Sequence, residues 1–159
     1  MILKKVEISI GLIKLKSSLV CLKRTSQPYK NFIEFPGGKK KNNETATQCL
    51  RREIKEELNI KIDKSKFIGT IKHLYDDVLI IINVFNIYRY TGQITSNENR
   101  DIILFDEKCK LAKLPTHDRI LSLLKLPKLL KIITPSNLND TTFENINLYK
   151  YIRLRDISY

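Results

Sequence analysis

Three glutamates, Glu53, Glu56 and Glu57, stand in the block Arg52-Glu53-Ile54-Lys55-Glu56-Glu57-Leu58. On a helix, positions i, i+3 and i+4 share one face. Three carboxylates held side by side repel one another unless a cation sits among them. Oxygen-only donors at that density suit a hard divalent ion, Mg²⁺ or Mn²⁺, and a diphosphate substrate is what usually needs such an ion. The plainer alternative is a solvated helix face on which Arg52 and Glu56 form an i,i+4 pair, worth about 0.3–0.5 kcal/mol.

The wider spacing separates the two readings. Gly38, Glu44, Arg52, Glu53, Ile54, Glu56, Glu57 and Ile60 fall on the pattern G-x5-E-x7-R-E-U-x-E-E-x-G-U, with U a bulky aliphatic residue. The run resembles the Nudix box. Asn59 stands where the pattern has its last glycine. That glycine resembles a helix-ending residue in the left-handed region, where asparagine is the usual second choice. The preceding Phe32-Ile33-Glu34-Phe35-Pro36-Gly37-Gly38-Lys39 looks like the MutT-type branch of that superfamily.

The resemblance implies an α/β Nudix fold, a mixed β-sheet sandwiched between α-helices. It also implies a Mg²⁺-dependent hydrolase, with Mn²⁺ able to substitute, that cleaves a nucleoside triphosphate at an inner phosphorus. Nucleoside monophosphate and pyrophosphate would leave. The implied purpose is removal of oxidised purine nucleotides such as 8-oxo-dGTP before polymerases use them. By the same resemblance the metal ligands are Glu53, Glu56, Glu57, the Gly37 carbonyl and the loop residue Glu98. Arg52 and Glu44 would orient the glutamates. Either Glu53 or Glu98 would take the proton from water.

The substrate side is carried over residue by residue. Gly37 and Gly38 permit close backbone approach, and Lys39 after them could reach a phosphate as a point charge. Arg24 matches a MutT-type position that contacts the nucleotide, and equally reads as a strand-end surface arginine. Phe35 is either part of a base pocket or core. Leu114-Pro115-Thr116-His117-Asp118 looks like the stretch that opens the last MutT-type helix, which would make Asp118 the reader of the purine edge; an N-cap is its other reading. Asp77 sits at a further family-like position near the pocket. His73 and His117 lack a partner at metal spacing and read as structural.

The elements that must position these residues follow from pattern. Residues 6–14 and 19–24 read as a hairpin about Ser17-Ser18. A polar loop spans 25–31, and a short strand at 32–35 is stopped by Pro36-Gly37-Gly38. A helix opens at Glu44 or Thr45 and runs to about Leu58, with Leu50, Ile54 and Leu58 as its buried stripe. Residues 66–75 and 78–89 read as strands, 92–100 as a polar loop, 102–105 as a strand, and 118–126 as a helix closed by Pro127.

At 159 residues the chain has room for one domain with a sizeable core. It carries no apolar run of transmembrane length, and its start has no signal-peptide pattern. Cys21, Cys49 and Cys109 are widely spaced and read as reduced thiols of a cytoplasmic protein. The net charge of +12 attracts polyanions. No basic stripe is interleaved with aromatics, so nucleic acid is not expected as the main ligand; the same positive field would speed capture of the nucleoside triphosphate that the resemblance implies as partner. A monomer or weak homodimer is expected.

The family resemblance covers residues 1–127. Residues 128–159 form an extension in which 130–135 and 151–156 read as strands. They weakly resemble the opening of a thiamine-phosphate-synthase-like barrel, too short to close, so a truncated remnant of a fused gene is expected. Two other functions stay open. One is hydrolysis of another nucleoside diphosphate linked to a moiety X. The other is a non-catalytic nucleotide- or RNA-binding protein.

Overall fold

The computed structural model describes residues 4–75 and 77–133. Residues Met1–Leu124 make one compact unit, and a second begins at Lys125. Seven strands form a mixed sheet: β1 (Lys4–Leu15), β2 (Ser18–Lys23), β3 (Ile33–Glu34), β4 (Gly37–Lys39), β5 (Lys61–Tyr75), β6 (Val78–Thr91) and β7 (Ile102–Phe105). The order is β3-β2-β1-β6-β5, with β4 also paired to β1 and β7 to β2. β1 and β6 run parallel from Lys4↔Val78 to Ile13↔Ile87, whereas β5 returns antiparallel along β6.

Alternation along the strands makes two cores. Ile10, Leu12, Cys21, Ile82 and Val84 face one side, where Ile120 of α2 (His117–Ile133) packs with Leu123 beside it. Ile13, Val20, Leu22, Phe85 and Ile87 face the other, against Leu50, Ile54 and Leu58 of α1 (Ala46–Leu58). The expected stripe of α1 is fully buried. The expected Nudix sandwich of helices about a mixed sheet is therefore the observed fold.

α1 begins and ends as its sequence suggests. Thr45 caps it, its hydroxyl accepting from the Gln48 N–H while the Gln48 side chain accepts from the Thr45 N–H. This reciprocal box satisfies two orphan donors. Asn59 ends the helix at φ 57° and ψ 23°, the left-handed conformation expected of it.

Four expectations are corrected. The segment 36–38 does not simply stop the preceding strand, because Gly37 and Gly38 enter β4 and pair with Ile10 and Ser9 of β1. A Cβ on Gly37, at φ +140°, would lie 2.1 Å from the Ser9 carbonyl oxygen, so glycine alone lets these backbones meet. β5 starts at Lys61 rather than residue 66; register shifts near Lys64 and Phe67 interrupt the alternation that marks a strand. Finally, Pro127 does not close the last helix, which continues to Ile133. An internal proline removes one helical N–H and costs roughly 3 kcal/mol, but the leucines and lysines after it are good helix formers. The expected strand at 130–135 is thus helical through Ile133. The remainder of that segment and 151–156 lie outside the described residues.

Candidate active site

The glycine strand β4 lies against α1, and each partner shapes the other. A Cβ on Gly38 would come within 2.4 Å of the Glu53 carboxyl carbon. The missing side chain is the space the carboxylate occupies. Beside it the Gly37 N–H donates to Glu57 Oε2 at 2.7 Å. One glycine pair therefore seats two of the three box glutamates.

Arg52 organises the rest. Its Nε and Nη2 grip Glu44 at 2.5 and 2.9 Å. Its Nη1 donates to Glu53 Oε1 at 2.6 Å and to Glu56 Oε2 at 3.1 Å, and Nη2 also reaches the Lys39 carbonyl at 3.1 Å. The planar fork suits this bidentate work. Glu44 also accepts from the Lys41 N–H. The Arg52 bonds, with that backbone bond, hold its carboxyl down at about 2. Arg52 is pushed further above its ordinary value by the same bond to Glu44, so both stay charged. The family resemblance implied that this pair orients the box glutamates, and these are the bonds that would do so.

Glu57 is the buried member, 6% exposed. Its Oε1 accepts from Arg100 Nη1 at 2.6 Å, and Arg100 Nη2 reaches Glu34 Oε1 at 2.5 Å. Burial pushes the Glu57 carboxyl up to about 7; the Gly37 N–H and Arg100 oppose the rise, and Glu98 and Glu34 add to it. Sequence reasoning missed Arg100 and Glu34 because these partners meet only through the fold, 43 residues separating Arg100 from Glu57. The loop that delivers Arg100 is tied to the end of α1: the Thr95 and Asn97 N–H groups donate to the Leu58 and Glu57 carbonyls at 3.1 and 3.2 Å. That docking sets Glu98 beside the box, half exposed and 3.9 Å from Arg100.

As they stand, no three acidic or imidazole side chains among the described residues converge as a closed ion cage. The donor set nevertheless fits a hard divalent ion. Mg²⁺ commonly takes one or two carboxylates and completes its shell with water and substrate phosphate. Glu57 is also a carboxyl whose ionisation its surroundings leave under-compensated, which a nearby cation would correct.

Next to the glycines opens a small cleft of about 70 Å³, lined by Ile8, Ile10, Phe35, Ile82 and His117 among others. This is well below the roughly 300–1,000 Å³ of ligand pockets. Phe35 is both core and cleft wall, 5% exposed. Asp118 is not in that lining; it stands exposed in the first turn of α2, 3.0 Å from Lys113 Nζ. Being inside the helix rather than before it, Asp118 is not the N-cap. Arg24 is paired with Glu34 and with the Pro28 carbonyl and lines a separate basic cleft with Lys23 and Lys30. Lys39 is exposed. Asp77 lies in the exposed turn before β6, outside the cleft lining.

The sequence and its mixed-sheet fold are matched by known proteins. A NUDIX domain model covers residues 6–119, and the chain belongs to the Nudix family of hydrolases. It is 37% identical over 97 residues to an 8-oxo-dGTP diphosphatase of Buchnera aphidicola subsp. Schizaphis graminum, covering 60% of this chain and 73% of that one. It is 32% identical over 99 residues to the 8-oxo-dGTP diphosphatase of Proteus vulgaris, covering 60% and 87%. Its fold matches the MutT Nudix hydrolase from Burkholderia pseudomallei with a TM-score of 0.68 at 17% identity, covering 76% of this chain and 98% of that one. The MutT protein from Methanosarcina mazei Go1 matches with a TM-score of 0.68 at 18% identity, covering 79% and 96%. No helix among the described residues is long and apolar enough to cross a membrane.

Proposed function

We propose that this Nudix hydrolase is a Mg²⁺-dependent nucleoside triphosphate pyrophosphohydrolase that removes 8-oxo-dGTP from the nucleotide pool. The observation that carries the reading is the seating of Glu53 on Gly38 and of Glu57 on Gly37, with Arg52 and Glu44 locking the same face. The names of the similar relatives support the substrate. Residues 1–127 are assigned the catalysis and residues 128–159 none. The setting is the cytoplasm, and the protein acts as a monomer or weak homodimer with nucleic acid not its main ligand.

Glu53, Glu56, Glu57 and the Gly37 carbonyl would hold the cation. When bound, Mg²⁺ supplies neutralisation of phosphate charge and a fixed point for the substrate oxygens. Arg52 keeps Glu53 and Glu56 in one geometry, so little reorganisation remains at the moment of reaction. Water attacks an inner phosphorus, a new P–O bond forms, and the bridging P–O bond breaks to release pyrophosphate. The proton of that water passes to Glu98. Its carboxylate is half exposed on a docked loop, whereas Glu53 already accepts a short bond from Arg52.

Glu98→Gln checks this assignment. We expect kcat to fall by about 10²–10⁴, the usual worth of a positioned base, with little change in KM. A variant that keeps wild-type kcat would move the base role to Glu53. Chromatography of the products must show nucleoside monophosphate and pyrophosphate; diphosphate and inorganic phosphate would contradict cleavage at an inner phosphorus.

A further inference from the structure

One residue that lines the cleft beside the glycine strand carries a buried polar atom left over by the fold. His117, the first residue of α2, is 1% exposed. Its ring stacks on Phe35, centroids 4.3 Å apart and planes 18° from parallel, and meets Phe105 edge-on at 4.7 Å. The two aromatic neighbours fix the plane of the imidazole. Its Nε2 is buried and has no hydrogen-bond partner among the described residues. Among the cleft's other polar groups, both oxygens of Glu34 are taken by Arg24 and Arg100.

An unpaired buried nitrogen has given up its water without gaining a partner. Such a cost is offset when a ligand supplies the missing partner, and sites built this way reject ligands that cannot. Burial, helped by Lys113, holds the ring down at about 4. At neutral pH it is therefore uncharged, unsuited to gripping phosphate and suited to a neutral donor or acceptor. An oxidised purine carries hydrogen on N7 and oxygen on C8, where an undamaged purine has a bare N7 acceptor. An enzyme that selects the damaged base must touch that edge.

We infer that His117 Nε2 reads the base, accepting the N7–H of an 8-oxopurine. The inference rests on the 8-oxo-dGTP reading above and assigns its specificity to His117 in place of Asp118. Phe35 then serves twice, as a wall of the cleft and as the plate that orients the reading ring. Asp118 points to Lys113 and solvent, where it offers the cleft nothing.

Titration calorimetry with the product nucleotides 8-oxo-dGMP and dGMP separates this inference from the catalytic reading, because it needs no turnover. His117→Phe keeps the aromatic stack and deletes the nitrogen. We expect it to weaken 8-oxo-dGMP binding roughly tenfold, about one well-made hydrogen bond, and dGMP binding by less. Equal loss for both nucleotides, or 8-oxo-dGMP affinity within about twofold of wild type, would overturn it. Should that variant fail to fold, the wild-type imidazole ¹⁵N spectrum decides, since the chain has 2 histidines. The His117 Nε2 resonance must shift at saturating 8-oxo-dGMP while that of His73 stays; an unmoved His117 signal overturns the inference. Failure to hydrolyse 8-oxo-dGTP counts against the proposed function, and is read in a separate assay.

Discussion

Gly38 and Glu53 compete for one volume, and glycine yields it. A methyl group at Gly38 would have to displace the Glu53 carboxylate, since the two would be 2.4 Å apart. Gly38→Ala is therefore expected to lower kcat by roughly 10², the scale of an ångström-sized misplacement, with the thermal midpoint nearly unchanged. A midpoint that falls along with kcat would mean a packing role instead. Several members of this site were legible in the sequence because its signals are local: the spacing of Glu53, Glu56 and Glu57 on one helix turn, with Arg52 and Glu44 nearby. Arg100, Glu34 and the orphaned Nε2 of His117 were not legible. Their partners come from distant strands, and a lone arginine or histidine carries no period that points across a fold.

At the scale of elements, α1 was readable to within a residue or two because caps are local chemistry: Thr45 with Gln48 at one end, Asn59 at the other. The left-handed backbone at Asn59 costs a residue with an ordinary side chain about 1–2 kcal/mol. Asn59→Ala should thus destabilise the protein by about 1 kcal/mol in urea unfolding, while Asn59→Gly should be close to neutral. An alanine variant as stable as wild type would remove the argument that asparagine replaces glycine here for conformational reasons. The strands were harder. The glycines of β4 look like a turn by composition and become a strand only because β1 is there to receive them. The bulges of β5 disturb the period from which a strand is recognised, and the leucine-rich run after Pro127 carries the last helix past a residue that ordinarily stops one.

For the whole molecule, the proposed cation site would couple stability to metal binding through Glu57. Its folded-state value is raised from 4.5 to about 7, so the fold prefers the protonated acid. That contribution is complete below about pH 4.5 and is lost as pH rises through about 7. A cation favours the ionised carboxylate and reverses the penalty. The rise in melting temperature on adding Mg²⁺ should therefore be larger at about pH 8 than at about pH 5.5, by a few degrees. Glu57→Gln should flatten the difference. A Mg²⁺ effect independent of pH would contradict the coupling.

The most direct measurement is pyrophosphate release with Mg²⁺ from 8-oxo-dGTP, dGTP and the other nucleoside triphosphates, run beside Glu53→Gln. Turnover that favours 8-oxo-dGTP, and that the variant lowers by roughly 10² or more, is the expected result. Absence of turnover on every triphosphate, or a Glu53→Gln protein as active as wild type, would contradict the assignment of this glutamate face to the hydrolysis of oxidised purine nucleotides.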